Sequence, residues 1–583
     1  MRTEVHDLLL GYAITGAVYA SFLLLLACVY MARKDISGLL RRGIDRYSLA
    51  ILAAVIAFFL IFALVYVSPV EQLYFDENIY QGIAINILHN GNALWCQFGT
   101  GHLTSCSANA LYHDPVGWSA FLAIAFAIFG IGIQTAYALE LLCGVLSILF
   151  IFLLASVMWE RRGFAAVAAL AMSVMPGLFI WSRTQADFDL PFMMLAILTF
   201  FFFMVFVRKK GIYTLGAFAF SLSLTAYMRI EAILLVPLFA LLLVLFGEQG
   251  VKRVLRERLS MIKQVMLDNT KVLLLLLAFI LLLLPQVYYV AVQAQQPSYG
   301  QPSSQAVVSL SNFMSNIGTN SRFLVGLING SSYYPAAFHY AIFPLALVGV
   351  AVLLLRRKLV NRFGTLLMLG LWFLAYFLFY TAFYAGSATY GVDSRFMLQI
   401  LPPLCLLAAY ALIGIGDAAA MAMSRFRKNA RIRDGNGAAF YAALTVASIV
   451  LLVLPFAFLA PTVALPPSEM PQQAVILNAM NTFYNSYNAV PANCLVFSFT
   501  PDIWYEVNRS SAQIGYLMAS NQTIHDEISS YSCLVLDYGY WCVVPPYHST
   551  TCAYALNHFK LENLTPVSPN NTGVAFYRIL NYS

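Results

Sequence analysis

Residues 74–91 read YFDENIYQGIAINILHNG and follow directly on an apolar run from Tyr47 to Pro69. Ile79, Tyr80, Ile83, Ile87 and Leu88 recur at three- and four-residue spacing, while Glu77, Asn78, Gln81, Asn86 and His89 fill the other side. This spacing predicts an amphipathic helix stopped by Gly91, too polar to cross a bilayer and suited to lying on its surface. Asp76 and Glu77 stand together at its start. Asp is a common helix cap, so the plain alternative is that Asp76 only closes the first turn. The rest of the chain argues for more.

Of 583 residues, 61% are hydrophobic and only 10% charged. Apolar surface on this scale exceeds what a soluble domain can hide, so the chain reads as an all-α polytopic membrane protein. The net charge of +7 lies mostly between apolar runs, as the positive-inside bias produces, and requires no nucleic-acid partner. The first run, near Leu8 to Met31, is long and has no small-residue cleavage site, which reads as a membrane helix and not a signal peptide.

Charge alternation orders the spans. Arg33, Lys34, Arg41, Arg42 and Arg46 follow the first span and belong inside, so Asp76 is delivered outside by the second. The outer loop, about 70–116, continues through Trp95, Cys96, Cys106 and YHDPVGW. Gly117–Gly132 is apolar but short; Arg161 and Arg162 after the next span stay inside only if this segment is re-entrant or interfacial. Gly163–Trp181 then carries Asp187 and Asp189 outside, and Arg208–Lys210 fall inside again. The alternation continues through Arg229 and Glu231 outside, a basic loop from Lys252 to Lys263 inside, Asp393 and Arg395 outside, and Arg425 to Arg433 inside. It gives about twelve crossings, with a membrane domain over 1–460.

The tail, 461–583, is polar and strand-prone at CLVFSF, SCLVLDY and VAFYRIL, which reads as a small extracytoplasmic α/β domain. Asn508, Asn521, Asn563, Asn570 and Asn581 start N-x-Ser/Thr triplets there, as does Asn329 in an outer loop. Cys28, Cys143 and Cys405 lie in apolar spans. Cys96 and Cys106 share the first outer loop, and Cys494, Cys533, Cys542 and Cys552 share the tail. Even sets in polar segments point to disulfides, with three pairings open in the tail. No C-x-x-C spacing occurs, which argues against zinc.

At the outer edge the charges collect: Asp76, Glu77, His113, Asp114, Arg183, Asp187, Asp189, Arg229, Glu231, Asp393 and Arg395. Charges near bilayer depth are costly and tend to be paired or functional. Ordinary interfacial ion pairing explains any single member. Acids gathered with His and Arg also fit glycosyl transfer from a lipid-linked sugar phosphate. There one carboxylate takes the acceptor's proton and cations hold the departing phosphate. A glycosidase would need two carboxylates of opposed protonation. A transporter or lipid flippase is the alternative, but it would place its charges nearer mid-membrane and within repeats. A surface-layer anchor would not need such a group of charges.

The chain resembles the GT-C superfamily of integral-membrane glycosyltransferases. It is most similar to the branch of protein O-mannosyltransferases and the lipid A aminoarabinose transferase. Asp76-Glu77 with Tyr80 and Gly91 match the D-E-x-x-Y…G pattern of that branch's first outer loop. His113-Asp114-Pro115 entering an apolar helix, Asp187 after the next outward helix, Arg229 and Glu231 ahead of LLVP, and Arg395-Phe396 ahead of LPPLCLLAA follow in the family's order. Asp114 departs from it, standing where proline is common.

The resemblance implies a plasma-membrane enzyme with its site outside, inverting, and using a polyprenyl (dolichyl)-phosphate sugar donor. The acceptor would be a lipid, glycan or protein. Asp76 is then the general base, Glu77 assists by binding the acceptor or orienting Asp76, and Asp187 is a further catalytic carboxylate. His113 and Arg395 would bind the donor phosphate; Tyr80, Asp114, Arg229 and Glu231 would contact substrate. The resemblance names no definite cofactor, and a divalent cation is compatible with this set. DYGYW at 537–541 is only superficially similar to the oligosaccharyltransferase motif WWDYG, in a different residue order, and carries no weight. The sequon-bearing tail resembles archaeal members.

Overall fold

The computed structural model describes residues 2–159, 163–184, 186–245, 270–293, 307–328, 338–355, 360–389, 393–426, 435–465, 471–518, 526, 528–543, 550–565 and 574–580. Outside them lie the sequons at Asn329, Asn521, Asn570 and Asn581. So do Arg161 and Arg162, the Lys252–Lys263 loop and most of the Arg425–Arg433 loop. Within the described residues, eight helices are long and apolar enough to cross a membrane, and five shorter apolar helices accompany them. The chain is an integral membrane protein: an all-α bundle with a small sheet at one end.

The helices run α1 (Arg2–Gly43), α2 (Arg46–Tyr66), α3 (Asp76–Asn90), α4 (Gly117–Phe129), α5 (Ile133–Met158), α6 (Phe164–Ser173), α7 (Pro176–Trp181), α8 (Asp189–Lys209), α9 (Ile212–Ala226) and α10 (Leu235–Leu245). Further helices over Thr270–Gln293, Leu310–Leu324, Ile342–Leu355, Val360–Ala382 and Leu401–Phe426, with a last helical run from Gly435 to Val463, complete the bundle. Basic residues mark its far end. There Arg208 donates to the Met158 carbonyl at 3.0 Å, and Lys209 pairs with Asp35 at 3.6 Å.

The boundaries differ from the sequence reading in three places, each for a local reason. α1 runs on through the basic RKDISGLLRR segment to Gly43, because Ile36, Leu39 and Leu40 keep packing on the bundle. The expected single span Gly163–Trp181 is broken at Val174–Met175, since Pro176 heads α7 and restricts the residue before it. α3 is not a surface helix. All its residues from Glu77 to Ile87 are buried, and its polar side is covered by protein, not water. Gly91 does stop it, with φ 74° and its N–H bonded back to the Ile87 carbonyl at 2.9 Å.

α4, the loop after α3 and the tail helix over Asp502–Glu506 together cover α3, and that loop and the tail share a sheet. β1 (Trp95–Gly99) and β2 (Cys106–Ala110) of the loop after α3 join β3 (Cys494–Ser498), β4 (Ser510–Gln513), β5 (Cys533–Asp537), β6 (Leu561–Asn563) and β7 (Phe576–Ile579). They form one seven-stranded sheet of order β2-β1-β4-β3-β5-β7-β6. β3 is parallel to both β4 and β5, while β1 pairs antiparallel with β4 through Phe98–Ala512 and Gly99–Ser511. Bridges link Cys96–Cys106, Cys494–Cys533 and Cys542–Cys552; Cys28, Cys143 and Cys405 are free thiols. Asn508 and Asn563 are exposed.

α4 begins beside the Tyr227 carbonyl, which accepts the Gly117 N–H at 2.9 Å. The helix after it starts with Ile133 N–H on Glu506 of the tail at 2.9 Å. Both ends of α4 therefore lie at the sheet end, and its Ile128 and Phe129 are exposed. This is a re-entrant or interfacial course, as charge alternation required.

The closest seam between bundle and tail is at Gly82 of α3, where an added Cβ would overlap the Asp502 carboxyl and lie 2.6 Å from the Asp502 Cβ. Gly82→Ala should therefore destabilise the protein by about 1–3 kcal/mol, read as a lowered thermal midpoint. Gly16→Ala, with nothing within 4 Å of the added atom, should leave the midpoint unchanged or raise it.

Candidate active site

α3 starts without a side-chain cap, and its N-cap position is Phe75. Asp76 is already the first helical residue, so it does not close the first turn. Its carboxylate turns outward instead, where Oδ1 accepts from the Tyr112 hydroxyl at 2.8 Å and Oδ2 faces Arg395 Nη2 at 3.8 Å. A third of the Asp76 side chain (33%) is exposed. Tyr112 is itself fastened from behind, because Tyr289 donates to the Tyr112 carbonyl and, at 2.7 Å, to that of Asp114.

Arg395 joins this carboxylate to the loop ahead of α8. It pairs with Asp187 through Nη1 and with Asp189 through Nε at 3.3 Å. Asp189 in turn pairs with Arg229, whose other nitrogens meet Glu231 at 2.8 and 3.0 Å. The Arg229 guanidinium also lies over the Phe188 and Phe396 rings, at 4.6 and 4.9 Å. Asp76, Arg395, Asp187, Asp189, Arg229 and Glu231 thus form a continuous network of four acids and two cations. Charges from four separated segments meet at one end of the bundle.

On the other side of Asp76, the Tyr80 hydroxyl donates to Asp114 Oδ2 at 2.8 Å, and His113 Nε2 lies 3.2 Å from the same oxygen. Asp76, His113 and Asp114 each offer a ligand atom, all within 4.8 Å of one another, a set able to hold a divalent cation.

The structure thus brings together all nine residues singled out from sequence, in two ranks. Asp76, Tyr80, His113, Asp114 and Arg395 surround the partly open part of the site. Glu77 is fully enclosed: it accepts the Gln72 N–H and, at 3.2 Å, the Ala186 N–H, tying two loops together. Burial pushes its pKa well above the ordinary carboxylate range, helped by the neighbouring Glu71. Asp187 is also enclosed; burial lifts it to about 7 against the pull of Arg395. Arg229 and Glu231 are buried and spent on each other and on Asp189, which differs from the direct substrate contact expected of them.

Sequence reasoning missed Tyr112 and Tyr289, which carry no motif, and the acids that join tail to bundle. Glu71 accepts from Asn78 at 2.6 Å and from Tyr484 at 2.8 Å. Tyr484 also lies 3.5 Å from Glu506, which holds the start of α5. Glu140 of α5 is buried nearby.

Three comparisons bear on this arrangement. Residues 113–289 match the family model described as dolichyl-phosphate-mannose-protein mannosyltransferase. No curated protein sequence matches the chain. Among solved structures, ArnT from Cupriavidus metallidurans in the apo state aligns with TM-score 0.52 at 15% identity, over 90% of this chain and 97% of that one. The apo oligosaccharyltransferase of Archaeoglobus fulgidus aligns with TM-score 0.50 at 13% identity, over 89% of this chain and 73% of that one. At this identity the likeness is one of fold: the chain shares the architecture of these two proteins.

The buried acids between tail and bundle set a pH dependence. Burial raises Glu71 to about 7 and Glu506 to about 8, the latter also through the charge of Glu71, from an ordinary 4.5. Both groups hold protons in the fold that they release on unfolding. Their contribution is full below about pH 4.5 and is lost as pH rises through 7 to 8. The thermal midpoint of the purified protein should accordingly fall across that window, and Glu71→Gln with Glu506→Gln should flatten the decline. An equally steep decline in the double variant would assign it to other groups.

Proposed function

We propose that this protein transfers a sugar from a polyprenyl-phosphate-linked donor to an acceptor at the outer face of the membrane, with Asp76 as general base. The observation that carries this reading is the contrast between Asp76 and its neighbours. Glu77, Asp187, Asp189 and Glu231 are enclosed and bonded, whereas Asp76 stays partly open between a tyrosine hydroxyl and an arginine. A partly exposed carboxylate is reachable by an incoming hydroxyl.

In this reading the acceptor oxygen attacks the anomeric carbon from the face opposite the phosphate. The bond from that carbon to the phosphate oxygen breaks, the acceptor's proton passes to Asp76, and polyprenyl phosphate leaves with inversion. A phosphate is a weak base and needs no general acid. It needs positive charge and hydrogen-bond donors, which Arg395 and His113 offer. Arg395 offers a fixed fork of donors suited to phosphate oxygens. Its Nη2 is held only loosely by Asp76, so a bound phosphate takes over that nitrogen and leaves Asp76 to accept the proton. Asp187 and Asp189 hold the other side of the guanidinium, and Arg229 with Glu231 braces Asp189. Glu77 acts by fixing the loops on which Asp76 and Asp187 stand. A cation on Asp76, His113 and Asp114 would add charge for the leaving phosphate.

The basic ends of α1 and α8, at the opposite end of the bundle, support an extracytoplasmic site and tail. The match over 113–289 supports a dolichyl-phosphate sugar as donor and makes mannose the first sugar to try.

Replacing Asp76 by Asn keeps an oxygen for Tyr112 and removes the base. With radiolabelled dolichyl-phosphate mannose as donor and extracted membrane lipids as acceptors, Asp76→Asn should fold normally and lose about 10²–10⁴-fold in turnover. A stable variant with near-normal turnover overturns the assignment. Lipid movement across proteoliposomes without any transfer marks a flippase instead.

A further inference from the structure

Tyr74, two residues ahead of Asp76, has φ 67°. A bulky aromatic residue in the left-handed region is strained and persists only where its surroundings over-determine it. Those surroundings come from the tail. The Tyr74 carbonyl accepts from Trp541 Nε1 at 2.8 Å and from the Thr500 hydroxyl at 3.1 Å. Its hydroxyl donates to Asp537 Oδ1 at 3.0 Å, and its ring lies against Gly539, where an added Cβ would come within 2.7 Å. Asp537 is held in turn by Ser498 at 2.9 Å and Trp504 at 2.8 Å. Only the Tyr74 N–H is satisfied from its own side, by Asn78 of α3 at 2.7 Å.

The strained turn leads directly into the start of α3. Phe75 packs on the Trp541 ring with centroids 5.0 Å apart, and the helix that follows has no side-chain cap of its own. The direction in which the Asp76 carboxylate leaves the helix is therefore set from outside the helix. Tyr112 and Arg395 contact it in front. Behind it, the fixed points are tail residues more than four hundred positions away in sequence.

We propose that Asp537 and Trp541 are positioning residues for the transfer step, holding Tyr74 in its left-handed turn and thereby aiming Asp76. This rests on the reading of Asp76 as the base. It gives the tail a role in turnover that is separate from its contribution to stability. Neither residue touches substrate in this account; both act through one backbone turn.

The test uses the full-length chain in lipid nanodiscs. Trp541→Phe keeps an aromatic ring beside Phe75 and removes only the indole donor. Asp537→Asn keeps the shape and replaces one acceptor oxygen by a donor that cannot serve Tyr74, Ser498 and Trp504 together. Single-turnover rates with radiolabelled dolichyl-phosphate mannose are read beside the reaction amplitude, donor KM and amide exchange over residues 74–78. The expected result is a rate constant lowered about 10- to 100-fold at unchanged amplitude and donor KM, with faster exchange over 74–78. A reduced amplitude with the wild-type rate constant would mean that the tail acts only through stability, and would overturn the inference. If the wild-type chain transfers no sugar from this donor, that result counts against the functional reading, and amide exchange decides the inference by itself. Faster exchange in both variants sustains the tail's hold on Tyr74; unchanged exchange overturns it.

Discussion

The guanidinium of Arg395 is buried, and it must be answered by charge wherever the chain can supply it. A buried cation without partners is among the costliest things a fold can contain, and removing one partner of such a pair costs about 3–5 kcal/mol. Asp187, Asp189 and Asp76 supply the charge, from a loop ahead of α8 and from the start of α3. Meeting that demand forces the convergence of segments near 76, 187 and 395. The turn carrying Asp187 is then fastened on every side: Glu77 takes the Ala186 N–H, Trp118 donates to the Ala186 carbonyl at 3.1 Å, and Gln399 donates to the Asp189 carbonyl at 2.9 Å. The geometry of the site is largely the geometry of this arginine's company.

Composition and charge alternation were enough for the membrane class, for the shared end of the charged residues and for the re-entrant α4. These are long-range, averaged signals that local packing does not erase. The site residues were legible because ionisable groups are rare in a chain only 10% charged, so each one stands out. What escaped was contact across sequence distance. The polar side of α3 looks the same whether it faces water or protein, and Glu77, Asn78, Gln81 and Asn86 turned out to face protein. Tyr112 and Tyr289 look like any of the chain's 34 tyrosines until folding aims their hydroxyls at Asp76 and at the backbone beside Asp114.

The tail shows the same limit in stronger form. Its three apolar strands β3, β5 and β7 were readable as such, because buried strands of this kind read as short apolar runs. That β1 and β2 of the loop after α3 would extend their sheet was not readable, since the pairing residues Phe98 and Ala512 share no local pattern. Nor could DYGYW be placed, although Asp537, Gly539 and Trp541 all come to rest on Tyr74. Sequence separates a membrane part from a soluble part; the structure joins them through one sheet and one strained turn.

That shared sheet has a consequence for how the protein comes into being. β1 leaves the ribosome early, yet its partner in the tail, β4, lies some four hundred residues downstream. At synthesis rates of about 5–20 residues per second, the β1–β2 hairpin waits on the order of tens of seconds for its neighbour. Until then the edge of the β1–β2 hairpin carries unpaired backbone groups, open to pairing with another chain. The Cys96–Cys106 bridge lies within this hairpin and can close without the tail, keeping the two strands together during the wait. The sheet that joins the two parts is thus completed only when the strands of the tail arrive.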